Sequence, residues 1–325
     1  MVVDDLVSVI VPVYNRPELL IDAVNSVLQQ DYRPVEIIIV NDGSTDQTLD
    51  VANDLAEQHV EIQVVTQNNA GPGVARETGR LLACGEFIQY LDSDDLLLKN
   101  KFLEQVKALK SLPSAGLAYG MECQINHGEA FDEQTAKPHK STGKRMSAIF
   151  PDILYGSLWG TSVPLWRRRL TDEMGPWMAL INEEDIEYDA RAGALKTELA
   201  YVSQYVAVQR VHDDHLSFGG TTDPVKLQHR AQAGHAISQH ALNVLSIGGA
   251  DLRHFSKTVF LLARQCAAAG LKQESESLVQ LSKLIRGSSG LKLNLFHLLL
   301  KLLGPQKAYA ITYWLELNVL HKGRS

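Results

Sequence analysis

The sequence predicts an α/β protein with a mainly parallel central sheet, because apolar β-branched runs alternate with helix-spaced segments through its first third. The second run, 35–40, is rich in Val and Ile, as a strand covered on both faces should be. Each run opens into a polar loop, and such sheets bind their ligands beyond the carboxyl ends of the strands.

Residues 6–13 form the first apolar run. Helical spacing over 18–29 (Leu19, Leu20, Ala23, Val24, Val27, Leu28) follows Pro17, which suits a first helical turn. Residues 35–40 read as a second strand, 45–58 as helix, 62–66 as a third strand, 73–83 as helix and 87–91 as a fourth strand. Helix over 99–112 and strand over 116–125 follow. The pattern then weakens to about Gly160, and the polar stretch 132–145 reads as a loop over the site. A strand returns over 200–210. Beyond about Thr221 only helices are expected, over 225–245, 252–269 and 274–285.

The totals narrow the function. The 325 residues suffice for one large domain and a smaller appendage. Apolar residues at 45% and charged residues at 21% are a globular balance. A net charge of −7 gives no reason to expect nucleic acid as a partner, since phosphate-rich partners want a basic surface. Cys84, Cys123 and Cys266 are odd in number and lack metal-ligand spacing, which fits a reducing cytoplasmic setting. The opening MVVDDL carries two acids where a secretion signal would be basic. No apolar stretch reaches the roughly 20 residues of a membrane span. The expected location is cytoplasmic, with peripheral attachment to the inner face of the membrane as an addition.

The loops after the strands carry the chemistry. Tyr14, Asn15 and Arg16 follow the first, NDGSTD (41–46) the second, QNNAGPGVAR (67–76) the third and DSDD (92–95) the fourth. Carboxylates gathered on one sheet edge repel each other, and a metal ion would offset them. Asp92 and Asp94 form an Asp-x-Asp whose oxygens suit Mg²⁺ or Mn²⁺ held together with substrate phosphates. Taken singly, the same loop reads equally well as a solvated acidic turn that caps the next helix. A second acidic patch, NEEDIEYDARAG, spans 182–193.

Five motifs in order, VSVIVPVYNRPELLIDAVNSVLQQ, VEIIIVNDGSTDQT, NAGPGVARETG, FIQYLDSDD and EED followed by Arg191, resemble the inverting family 2 glycosyltransferases of GT-A fold over roughly residues 6–215. The resemblance implies a GT-A-type nucleotide-binding domain over 1–220, followed by a helical C-terminal region over 221–325. It implies sugar transfer from a nucleoside-diphosphate sugar, with uridine as the expected nucleoside and thymidine or guanosine as alternatives. The implied acceptor is a hydroxyl of a glycan or a lipid-linked molecule. Pro12, Tyr14 and Asp42 would line the nucleoside pocket, with Arg76 near the base or diphosphate. Asp92 would serve nucleotide and metal alike, and Asp94 would be the more direct metal ligand. Asp185, in the Glu184–Asp185 pair, would be the catalytic base. His212 would touch the diphosphate or the metal.

The residues by themselves leave plainer readings open. Tyr14 reads also as core packing, Asp42 as a turn residue before Gly43, and Asp46 as a helix cap. Glu184 and Asp185 read also as surface acids with Arg191 as their ion-pair partner, and Arg76 as an exposed side chain. His212 and His215 suit a metal site of their own or a polar exit loop. Trp159 and Trp166 suit sugar stacking or burial, and Arg167–Arg169 an acceptor phosphate or a solvated turn. The tail 281–325 holds seven Lys or Arg and one acid. Its apolar stretches suit peripheral contact with an anionic membrane through 291–320, with packing on the protein or a homodimer as alternatives. The rival functions are a catalytically silent nucleotide-sugar-binding protein and a dehalogenase-type phosphatase. The latter needs its Asp-x-Asp after the first strand, whereas here it follows the fourth.

Overall fold

The computed structural model describes residues 2–211, 222–288 and 290–315. They fall in two compact units, one within Met1–Ile149 and Gly156–Leu216, the other within Phe150–Tyr155 and Ser217–Ser325.

The first unit holds an eight-stranded sheet. Strands β1 (Val3–Val13), β2 (Val35–Asn41), β3 (Ile62–Thr66) and β4 (Gly85–Tyr90) alternate with helices α1 (Pro17–Leu28), α2 (Thr48–Gln58) and α3 (Pro72–Leu82). Then come β5 (Leu96–Leu97), α4 (Lys101–Ser111), β6 (Ala115–Asn126), β7 (Leu165–Arg167), α5 (Arg168–Met174), α6 (Glu184–Ala194) and β8 (Glu198–Val211). The sheet order is β3-β2-β1-β4-β7-β6-β8-β5. Pairs β1–β2, β1–β4, β2–β3 and β6–β8 are parallel. Strand β7 runs antiparallel between β4 and β6, and β5 antiparallel against β8. The sheet is therefore mixed but mostly parallel, with β1 at its heart: Val7, Val9, Ile10 and Val11 are fully buried, as are Ile37–Val40 across the ladder.

Register positions the loops. Val13 pairs with Asn41, and Asn41 with Thr66, so three strands end at one level. Strand β4 parts from β1 earlier, at Tyr90 opposite Ile10. Strand β7, three residues long, and helix α5, seven, escape the sequence reading because both are too short to show a clear period. Helix α2 begins at Thr48 rather than 45, since the Asp46 carboxylate accepts from the Thr48 N–H at 2.9 Å and its hydroxyl at 2.5 Å. This is the capping role open to that residue.

The second unit is helical among its described residues: α7 (Pro224–Leu242), α8 (Ala250–Ala268), α9 (Lys272–Arg286), α10 (Leu291–Leu303) and α11 (Pro305–Leu315). Helix α8 packs on α7, α9 and α11, and α10 on α9 and α11. Asp223 caps α7 by accepting from the N–H groups of Val225 and Lys226. The segment Phe150–Tyr155 belongs here, with Tyr155 stacked on His254 at 4.4 Å and its hydroxyl on Asp251 at 2.8 Å. Among the described residues, no helix is long and apolar enough to cross a membrane.

Helix α3 approaches β1 at Gly79, where an added Cβ would lie 2.3 Å from Ile10 Cγ2. Gly79→Ala should therefore destabilise by about 1–3 kcal/mol through overpacking, although alanine improves helix propensity by about 1 kcal/mol. Urea unfolding checks this, and a raised midpoint would show that α3 can move off the strand.

Candidate functional site

Each loop at the carboxyl edge of the sheet is tied to the next. Asn15 N–H donates to Ser44 Oγ at 3.0 Å, Thr45 N–H to Asn15 Oδ1 at 2.8 Å and Arg16 N–H to Thr48 Oγ1 at 2.9 Å, joining the first loop to the second. The buried Asp42 joins the second to the third: it accepts from Gln67 Nε2 at 2.8 Å and from the N–H groups of Ala70 and Gly71 at 2.9 Å. Gly43 makes that approach possible. Its φ is +74°, and a Cβ there would sit 2.7 Å from the Asn69 nitrogen.

Arg76 joins the third loop to the fourth and to α6. It projects from α3 and is only 3% exposed. Its Nη2 donates to Asp92 Oδ1 at 2.6 Å and its Nη1 to Glu184 Oε1 at 2.7 Å. The guanidinium lies over Trp177 at 4.9 Å, and Trp177 stacks on Tyr188 at 3.9 Å. Burial disfavours the charge, but Asp92 and then Glu184 outweigh it and hold Arg76 protonated. Burial pushes Glu184 up to about 7, Arg76 opposing and Asp185 adding to the shift.

The fourth loop gathers three carboxylates. Asp94 accepts from Arg16 Nη1 at 2.6 Å, and its backbone carbonyl accepts from Arg210 Nε at 2.6 Å. Arg210 also reaches Asp22 at 2.6 Å. Ser162 donates to Asp95 at 2.8 Å and accepts from the Asp92 N–H at 3.2 Å. Burial, then the charges of Asp94, Asp92 and Glu122, hold Asp95 well above the usual carboxylate range. Among the described residues no three acidic, His or Cys side chains form a ready metal cage. The donor set nonetheless fits a hard divalent cation in kind. Crowded carboxylate oxygens call for positive charge, and Asp92 is the more open of the pair, its side chain 31% exposed against 10% for Asp94.

Asp185 stands in the first turn of α6, half-buried, with Oδ1 accepting from the Ile186 N–H at 2.9 Å. It adjoins Glu184, which shares the Arg76 guanidinium with Asp92, so the two acidic motifs meet at one cation. Beneath them lies Glu122 of β6, fully buried, with Oε2 accepting from Gly160 N–H at 3.1 Å and Oε1 without a partner. Burial raises Glu122 to about 7 against the pull of Lys140 and the Gly160 N–H. Asp189 is likewise held well above its ordinary range by burial and then by Asp185.

The structure sorts several open readings. Pro12 is buried in β1 opposite Val40. Tyr14 is 41% exposed and therefore not core packing. Arg191 pairs with Glu187 at 2.5 Å and with the carbonyls of Met174 and Pro176, not with Glu184 or Asp185. Trp159 and Trp166 are buried. Arg167 binds Glu86 and the carbonyls of Ala115 and Leu109, Arg168 that of Ala83 and Arg169 that of Pro113, so all three serve the fold. His212 and His215 lie outside the described residues. The sequence reading gave no role to Arg16, Ser162, Arg210 or Glu122. Arg16 stood in a loop already marked as polar, whereas the others had no local signal.

Glu122 has a pH signature. Its folded pKa lies above its unfolded one, so its proton stabilises the fold below about pH 4.5, and that contribution drains away as pH rises to about 7. Glu122→Gln, which keeps an acceptor for Gly160, should gain stability relative to the parent between pH 5 and 8, by up to about 3 kcal/mol. Thermal unfolding across this range measures it, and parallel curves would remove the buried-proton account.

Comparisons with known proteins bear on the fold that carries these loops. The glycosyl transferase family 2 model matches residues 8–161. An uncharacterized glycosyltransferase of Nostoc sp. is 28% identical over 248 residues, 73% of this chain and 74% of its own length. In three further relatives the match covers only 18% of the relative's length. Among solved structures, residues 1–349 of S. aureus TarS in complex with UDP-GlcNAc share the fold with a TM-score of 0.67 at 18% identity, covering 96% of this chain and 91% of that one. The mannosyltransferase PcManGT of Pyrobaculum calidifontis, in complex with GDP-Man and Mn²⁺, gives 0.54 at 18% identity over 95% and 86%. Residues 8–161 thus match glycosyl transferase family 2, and the chain has the mixed, mostly parallel sheet of a GT-A domain followed by a helical C-terminal region.

Proposed function

We propose that the chain moves a sugar from a nucleoside-diphosphate sugar to a hydroxyl of a glycan or lipid-linked acceptor, with inversion at the anomeric carbon. One observation carries the reading: Arg76 brings Asp92, at the end of β4, and Glu184, next to Asp185, onto a single guanidinium. A donor-side carboxylate and an acceptor-side base must meet at one point for this chemistry. UDP is the favoured diphosphate, because TarS, of the same fold, binds UDP-GlcNAc. The PcManGT complex with GDP-Man keeps guanosine as the alternative.

Exposed Tyr14 offers a flat face to the base at the mouth of the first loop, with Pro12 behind it. Asp42, already accepting three hydrogen bonds, shapes the pocket wall and retains lone pairs for a ring N–H. Asp94 and Asp92 would hold Mn²⁺ or Mg²⁺ together with the diphosphate. A bound cation neutralises charge on the leaving diphosphate. Asp185 takes the acceptor hydroxyl proton as that oxygen bonds to the anomeric carbon and the bond to the diphosphate breaks. Arg76 and Glu184 position Asp185 and Asp92 relative to each other.

Three measurements test this. A thermal-shift panel of nucleotide sugars with Mn²⁺ and Mg²⁺ should single out the donor by mass action. Asp94→Ala should abolish the metal-dependent part of nucleoside-diphosphate affinity, and binding indifferent to both EDTA and the substitution would sink the metal role. Asp185→Asn should keep donor affinity while transfer falls by about 10²–10⁴-fold, the usual worth of a general base. Undiminished transfer would take the base role from Asp185.

A further inference from the structure

The helical unit carries a basic cavity of about 480 Å³ that sugar transfer does not use. Lys257 and Arg264 of α8, Arg286 of α9 and Lys292 of α10 line it together with apolar Phe260 and Leu293, and among the described residues no Asp or Glu does. The Arg286 Nε is buried and has no hydrogen-bond partner among the described residues. Helix α10 begins at the cavity without a side-chain cap, so the positive end of its backbone adds to the same field. Four cationic side chains and a helix N-terminus around a mostly apolar hollow suit a phosphate that carries a hydrocarbon chain.

The same helix shows a second, independent feature. Leu293, Phe296 and Leu300 bury one face of α10. On its outer face Leu291, Leu295, Leu298 and Leu302 recur at helical spacing and are 87%, 39%, 55% and 69% exposed. Leu291 belongs both to this ladder and to the cavity wall. Tyr313 and Trp314 of α11 are exposed as well. Residues 291–315 contain Lys292, Lys301 and Lys307 and no acid. Two copies of this face would set lysine against lysine, whereas an anionic surface complements it. At 13 residues α10 is about 20 Å long, too short to cross a bilayer but able to lie in its interface.

We propose that α10 and α11 seat the chain on a membrane surface rich in anionic phospholipid, the α10 leucines entering the acyl boundary and a lipid phosphate occupying the cavity. Vesicle binding reads no catalysis, so this proposal and the sugar-transfer reading can fail separately.

Flotation of the full chain with phosphatidylglycerol-containing vesicles, against phosphatidylcholine alone, tests it. Binding should favour the anionic vesicles at least tenfold and weaken as added salt shortens the screening length. Lys257→Gln and Arg286→Gln should each weaken binding about fivefold, the ordinary contribution of one basic residue at such a surface. Leu298→Ser with Leu302→Ser, both exposed and so harmless to folding, should weaken it on both vesicle types. Equal binding to the two lipids would overturn the proposal. So would stabilisation by soluble glycerol phosphate without vesicle binding, which makes the occupant a free phosphate. Leucine-dependent self-association without vesicle binding would overturn it in favour of a second copy.

Discussion

The site depends on one buried cation. Arg76 is held between Asp92 and Glu184, at 2.6 and 2.7 Å. Taking three charges out of water is costly, and only their mutual geometry repays it. The arrangement is therefore poor as a source of stability and strong as a constraint on position. The sheet edge and α6 can meet productively only where that guanidinium reaches both. Trp177 and Tyr188 close over the pair and deepen the desolvation that gives the contact its stiffness.

The parallel core was plain in the sequence because β1 and β2 are covered on both faces and so read as nearly continuous apolar runs. The loops were legible for the same reason, each being the first polar stretch after such a run. What the sequence concealed is whatever rests on distant partners. Arg76 reads from sequence as a residue near the base or diphosphate or as an exposed side chain, and nothing local points to ion-pair partners 16 and 108 positions away. Glu122 lies in a strand the sequence predicts and Ser162 just past the stretch where the alternation fades, but the role of each depends on a distant segment: Gly160 for Glu122, and the Asp92–Asp95 loop for Ser162. Strand β7 is a third case: its antiparallel insertion between β4 and β6 needs only three residues.

The two units divide their chemistry by sign. The first collects carboxylates and answers them with single, placed arginines: Arg16 for Asp94, Arg76 for Asp92 and Glu184, Arg210 for Asp22. The second collects cations around a cavity that, among the described residues, no acid lines. An overall charge of −7 averages over both and describes neither. Local charge, read with burial, is the useful quantity in a chain of this kind.

The chain of hydrogen bonds from Asn15 through Ser44, Asp42 and Gly71 has a consequence for binding entropy. Loops that must be ordered by their ligand subtract that ordering from the affinity they offer. Here each loop already holds its neighbour, so the loss of freedom occurs when the protein folds rather than when the donor arrives. A nucleotide entering such a pocket meets a shaped wall, and its contacts are free to act on affinity and orientation instead of on assembling the site.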